Sequence, residues 1–301
     1  MRSSRILSIL AAILFVAAPL AAPASPFPQA ADSATARPQQ DDRPLPDIPS
    51  LLRDIRKNQR AIEELRRLYT CHLSEEEDKL DSDGQVKSRT VKDYDVFYIG
   101  EEQVRHLLAK DGKPLDAGEK KKEDARFNKQ FDELKKKQAE LASDPKKRAK
   151  KEEEDETQIS DFLRAERFTN PRRESFRGEE VIAFDFTGNP DYKPAKRIDR
   201  IIQKLSGVMW VDERAREIVR LEARFVESVN VGGGILGSLH KGSNFVFEQE
   251  KINGEVWLPS YAEVHLSASI VFVKLKRSGT GRYTDYRKFR VGATLGATSP
   301  Q

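Results

Sequence analysis

The chain of 301 residues holds a single cysteine, Cys71, which excludes any internal disulfide. Its one long apolar run, 6–21, is shorter than the roughly 20 residues that a membrane-spanning helix needs. No second run of that length follows, so no transmembrane span is expected in the mature chain. The four histidines, His72, His106, His240 and His265, show no ligand spacing such as H-E-x-x-H, and neither a metal nor a cofactor is expected. No serine sits in a G-x-S-x-G elbow, although Gly237-Ser238-Leu239-His240 has some of the residue types. Acids are so numerous that no carboxylate pair stands out, and no catalytic residue is assigned. A one-signed charge is missing too: 53 Lys and Arg face 49 Asp and Glu. Loss of Arg2 and Arg5 with a cleaved leader lowers the formal charge from +4 to +2. A balanced, heavily charged surface favours solubility and argues against a nucleic-acid partner, even where basic residues interleave with Tyr283, Tyr286 and Phe289.

What is present begins with a leader. Arg2 and Arg5, the apolar run and Ala22-Pro23-Ala24 predict a secretory signal peptide over 1–24, with Ser25 as the first mature residue. A retained anchor is the other reading of this segment. No cysteine follows the cleavage site, so the exported protein is not expected to be a lipoprotein. Residues 25–48, rich in Pro, Ala, Gln and Asp, are expected to form a flexible linker. A folded domain is expected over 49–291, with a flexible tail at 292–301.

Leu51, Ile55, Ile62, Leu65 and Tyr69 recur at helical spacing and predict an amphipathic helix ending near Leu68. Extended segments 69–80 and 85–99 follow, joined by the turn Asp81-Ser82-Asp83-Gly84. Cys71 is in phase with Tyr69 and Leu73, which predicts a buried thiol. Residues 109–119, with Gly112 and Pro114, read as a loop. From 119 to about 167 Lys, Glu, Asp and Arg dominate. Phe127, Phe131, Leu134 and Leu141 mark one helix there; after Ser143-Asp144-Pro145, Ile159, Phe162 and Leu163 mark a second. This reads as an inserted, charged helical hairpin with a thin seam. It is either a solvated spacer or an arm that touches a partner or lipid headgroups.

Strands return after Pro171. Ile182, Phe184 and Phe186 share one face of 180–187, and 196–205 predicts one short helix. The stretch "GVMWVDERAREIVRLEARF" reads as a strand, a turn and a strand, with Val219, Leu221, Ala223 and Phe225 on one dry face. Segments 244–252, 255–268, 270–277 and 282–291 complete an antiparallel meander, with Asn253-Gly254 as a hairpin turn. The fold class is therefore mainly β with α: an antiparallel half-barrel covered by the first helix. Phe184, Leu221, Phe225, Phe245 and Phe247 share the inward phase of their strands and are the candidate lining of an apolar cavity. Residues 232–237 satisfy G-x-G-x-x-G, but the alternating segment after them excludes the strand–helix setting of a dinucleotide site. They read as a glycine-rich lip showing Ile235, Leu236 and Leu239, either a plain loop or one that touches lipid. Trp210 and Trp257 suit a core or a ligand wall.

The order of "GVMWVDE", "EIVRLEARF", the glycine loop, "SNFVFEQEKINGEVWLP" and "YTDYRKFRV", preceded by an amphipathic helix, resembles the outer-membrane lipoprotein-sorting superfamily with the LolA-like fold. The resemblance spans roughly 50–100 and 170–291. It implies an incomplete barrel whose cavity holds acyl chains, in an exported, non-enzymatic carrier of a lipid or acylated protein in the bacterial periplasm. The charged insert would then reach an envelope protein partner. That insert is not part of the basic fold, and no residue here matches the family's lid-latching arginine. The lipidated N-terminal cysteine of the family's membrane-anchored partner is missing as well. The competing expectation is a structural or interaction module that works through the charged hairpin, with the half-barrel as scaffold. An exported hydrolase is a third.

Overall fold

The computed structural model describes residues 43–99, 102–147, 162–194, 197–231, 237–270 and 273–288. The expected leader, nearly all of the linker, the tail, Ile159, Ile235 and Leu236 lie outside the described residues.

The chain starts with helix α1 (Ile48–Arg66), followed by β1 (Tyr69–Leu80), β2 (Val86–Ile99), β3 (Glu102–Lys110) and β4 (Lys113–Pro114). Helix α2 (Ala117–Ser143) comes next, then β5 (Glu166–Phe176), β6 (Glu179–Gly188) and the short helix α3 (Arg197–Ile202). The rest is β7 (Leu205–Asp212), β8 (Glu217–Phe225), β9 (Val229–Val231), β10 (Gly237–Leu239), β11 (Asn244–Ile252), β12 (Val256–Ile270) and β13 (Val273–Lys288).

All of these strands belong to one 13-stranded sheet, in the order β4-β3-β2-β1-β13-β12-β11-β8-β7-β6-β5, with β9 and β10 attached beside β12. Every pairing is antiparallel. The end strands β4 and β5 do not pair, so the sheet is open and not a closed barrel. The face covered by α1 is the inner face.

Helix α1 forms because its apolar residues fall on one stripe. Leu51, Ile55 and Ile62 are buried, and each contributes about 1.5–3 kcal/mol of apolar burial. Asp47 starts the helix by accepting the Ser50 N–H at 3.0 Å. Arg66 ends it by donating to Glu217 at 2.7 Å and to Gln249 at 2.9 Å. The main core lies beneath: Leu51 and Ile55 pack with Ile182, Phe184, Phe186, Met209, Val211, Ala223, Phe225 and Phe245. Asn253 and Gly254 both have positive φ in the tight turn between β11 and β12, which the Glu255 N–H closes by donating to the Ile252 carbonyl at 3.1 Å.

Several sequence expectations change. Residues 109–119 are not a plain loop: they hold the β3–β4 hairpin and the start of α2, where Asp116 and Glu119 form a capping box. Segments 270–277 and 282–291 are not separate strands, because β13 runs unbroken through Arg277 and Arg282. Strand β5 begins before Pro171; this edge strand carries a bulge between Thr169 and Arg172, where no ladder N–H is needed. Val219 leaves the face of Leu221. A bulge pairs Val211 with Ile218, so Ile218 takes the core side while Val219 packs with Val181 and Trp257.

The expected hairpin seam also divides. Phe127 of α2 packs on the outer face of β2 and β3, 5.3 Å from Phe97 and 4.7 Å from His106 between ring centres. Glu123 accepts the Leu107 N–H at 2.9 Å. Phe162 goes elsewhere, into the main core, 6.2 Å from Phe168 and 5.8 Å from Phe186. The two aromatic groups therefore serve opposite faces of the sheet. Among the described residues, no helix is long and apolar enough to cross a membrane.

Candidate functional site

Antiparallel register carries a face from strand to strand, because directly paired residues point to the same side. From the core outward, Met209 pairs with Leu221, Leu221 with Phe247, and Phe247 with Ala262. Ala262 pairs with Gly281, Gly281 with Glu75, and Glu75 with Lys92. One row thus crosses the inner face from a dry end to a charged end, and its middle residues, Ala262 and the buried Gly281, carry little or no side chain of their own. A Cβ at Gly281 would touch only Leu73 and Tyr283, at 3.4 and 3.9 Å. The neighbouring row repeats the pattern, with Phe245 beside Val264, Gly279 and Glu77.

The five cavity candidates fall on this face but not in one environment. Phe184, Phe225 and Phe245 are buried in the main core. Leu221 packs against that core from its margin, and Phe247 is only partly buried. Leu239, the one described residue of the three that the lip was expected to show, also packs at the core margin. The strand it belongs to, β10, pairs with the end of β12, Ser238 with Ser269 and Leu239 with Ala268.

The charged end was not legible as a site in the sequence. Cys71, Leu73 and Val96 form a small buried cluster with Tyr94, Tyr283 and Tyr286. Arg105 enters it from β3, opposite Val96. Its guanidinium contacts Glu75, lies 3.2 Å from Gln103 Oε1 through Nε, and sits 6.0 Å from the Tyr94 ring centre. Burial pushes the Cys71 thiol up to about 12, which favours its neutral form. Burial likewise pushes the Tyr94 and Tyr283 phenols up to about 12, and raises Tyr286 further still. These rings stay protonated and can donate. Pairwise signals could not reveal the cluster, because its members are up to 215 positions apart and meet only when β1 pairs with β13.

The histidines are scattered, each beside its own partner. His72 lies near Asp93 and His106 near Asp124, at 3.6 and 3.1 Å. His265 lies 2.8 Å from Glu263. His240 stands between Ser267 and Ser269, at 3.1 and 2.8 Å. Trp257 is core, its Nε1 donating to Asp212 at 2.8 Å, and Trp210 donates to Glu174 at 2.6 Å.

A scan against protein-family models found no match, and neither did a search of curated proteins. Among solved structures, the chain is similar to a DUF1329 family protein from Desulfovibrio piger, with 10% identity and a TM-score of 0.29. That overlay covers 81% of this chain and 95% of the other.

Proposed function

We propose that this protein is an exported, non-catalytic binder or carrier of a lipid or acylated protein, working in the manner of the LolA-like half-barrels that its sequence resembles. The observation that carries this reading is the row Leu221–Phe247–Ala262–Gly281–Glu75 across the open inner face. An amphiphile has the same polarity profile: a greasy chain for the Leu221 and Phe247 end, and a head for the Glu75 end. Ala262 and Gly281 add little side chain of their own to the middle of the row, so an acyl chain there would pack on Leu73 and Tyr283, the side chains nearest Gly281. Burial of that chain would supply about 25 cal/mol per Å² of apolar area. Phe184, Phe225 and Phe245 then support the floor, while Leu221 and Phe247 meet the ligand.

Native mass spectrometry of the full chain, purified gently from cells that export it, tests the proposal. Co-purifying lipid that is reduced several-fold in Phe247→Ala, at an unchanged melting temperature, is the expected result. A lipid-free parent protein that also fails to take up added amphiphile would overturn it.

A second reading rests on α2. None of its 27 residues is buried, so most of its charged surface faces away from the sheet. In that case the working surface is α2 and its partner is an envelope protein. Partner capture abolished by charge reversals on α2 but untouched by Phe247→Ala would favour this reading over the first.

A further inference from the structure

The charged end of the inner face holds more hydrogen-bond donors than it uses. Arg105 spends Nη1 on Glu75 and Nε on Gln103, and among the described residues its Nη2 donates to nothing. The Tyr94 and Tyr283 hydroxyls, on the same face in one register row through Leu73, also make no hydrogen bond to any described residue. Ser260, just before the first β12–β13 pair, has a buried Oγ with no partner. Tyr286, by contrast, is satisfied, because its hydroxyl donates to the Pro259 carbonyl.

Charge points the same way. Lys92 lies on the inner face directly beside Glu75, and among the described residues it forms no ion pair. Arg105 and Lys92 against Glu75 leave the cluster one positive charge in excess. Unspent donors and an unneutralised cation in a half-buried aromatic setting are poor for stability alone, since each donor gives up water without gaining an acceptor. They suit an incoming anion, which Arg binds through its planar fork and the phenols bind by donation.

We propose that Arg105, Lys92, Tyr94 and Tyr283 form a binding site for an anionic headgroup, a carboxylate or a phosphate, at the polar end of the inner face. The proposal rests on the amphiphile reading above and names the head that such a ligand carries. Glu75 stays paired with Arg105 and holds the guanidinium across the Tyr94 ring, leaving Nη2 open. The phenol of Tyr94 is kept neutral by burial and then by the carboxylate of Glu75, which preserves it as a donor.

The test is direct binding to the full chain, below micelle-forming concentrations, of hexadecanoate, hexadecyl phosphate and hexadecanol, with inorganic phosphate as a fourth probe. The wild type is expected to hold at least one of the two anionic ligands about tenfold or more tightly than the alcohol, and which one separates carboxylate from phosphate recognition. Arg105→Gln is expected to erase that preference and leave alcohol binding unchanged. Tyr94→Phe and Tyr283→Phe each remove one hydroxyl, keep the ring packing, and should each cut the preference several-fold; they serve if Arg105→Gln does not fold. Equal binding of all three long-chain probes would overturn the headgroup site while keeping the amphiphile reading. If none of the three binds, Arg105-dependent binding of inorganic phosphate keeps the anion site without the amphiphile, and no binding of it overturns both.

Discussion

Glu166 is a buried acid at a strand start. It opens β5 opposite Gly188, is 3% exposed, and has both carboxyl oxygens buried with no hydrogen-bond partner. Burial alone pushes its carboxyl up to about 9 from an ordinary 4.5. The folded state therefore holds a proton that the unfolded chain has released between those two values. Any contribution to stability is whole below the lower value and is lost as pH rises toward the upper one, at up to about 1.4 kcal/mol per pH unit. Thermal melts of the wild type between about pH 5 and 8 should fall with pH, and those of Glu166→Gln should fall much less. Parallel curves for the two proteins would show that Glu166 reaches water or a partner. The burial of Cys71 could be read from its alternation with Tyr69 and Leu73. The burial of Glu166 could not, because a lone acid in a charged tract looks solvated until Phe162 and Phe168 close around the strand start.

At the scale of elements, the insert behaves as two pieces. Phe127 stays partly exposed on the outer face, whereas Phe162 is 4% exposed inside the main core. Phe162→Ala should cost about 3–5 kcal/mol, while Phe127→Ala should cost under about 2. Urea denaturation of both variants separates the two, and equal midpoints would restore a shared seam. Strands with clean alternation, such as 180–187 and 244–252, were legible because one dry face imposes a period of two. Strand β3 and the β4 hairpin escaped notice because their inner residues are Arg105 and Leu107, so polarity no longer marks the face. The bulge at Val219 defeated the period itself: one inserted residue moves every later side chain to the other side.

At the scale of the whole molecule, the class of fold was legible from strand count, short turns and the covering helix, whereas the order of the strands was not. Nothing local in 69–80 says that its neighbour is 273–288. Yet that pairing builds both the row across the inner face and the Arg105 cluster. Among the described residues, it also leaves β1, β2, β3 and β4 joined to the rest of the sheet through β13 alone. Cutting the chain after Ile270 should therefore leave two sub-sheets with no seam between them. Loss of a single cooperative unfolding transition, followed by far-ultraviolet circular dichroism, is the expected outcome; retention of one sharp transition would show that β1 can pair with β12 directly.

The same pairing sets a timetable. Loop closure across some 200 residues is slow, and the β1–β4 segment, paired within itself, has no bond to the rest of the described sheet until β13 has left the ribosome. A polypeptide arranged in this way can build its two halves separately during synthesis and become one sheet only when its last described strand slides in beside its first.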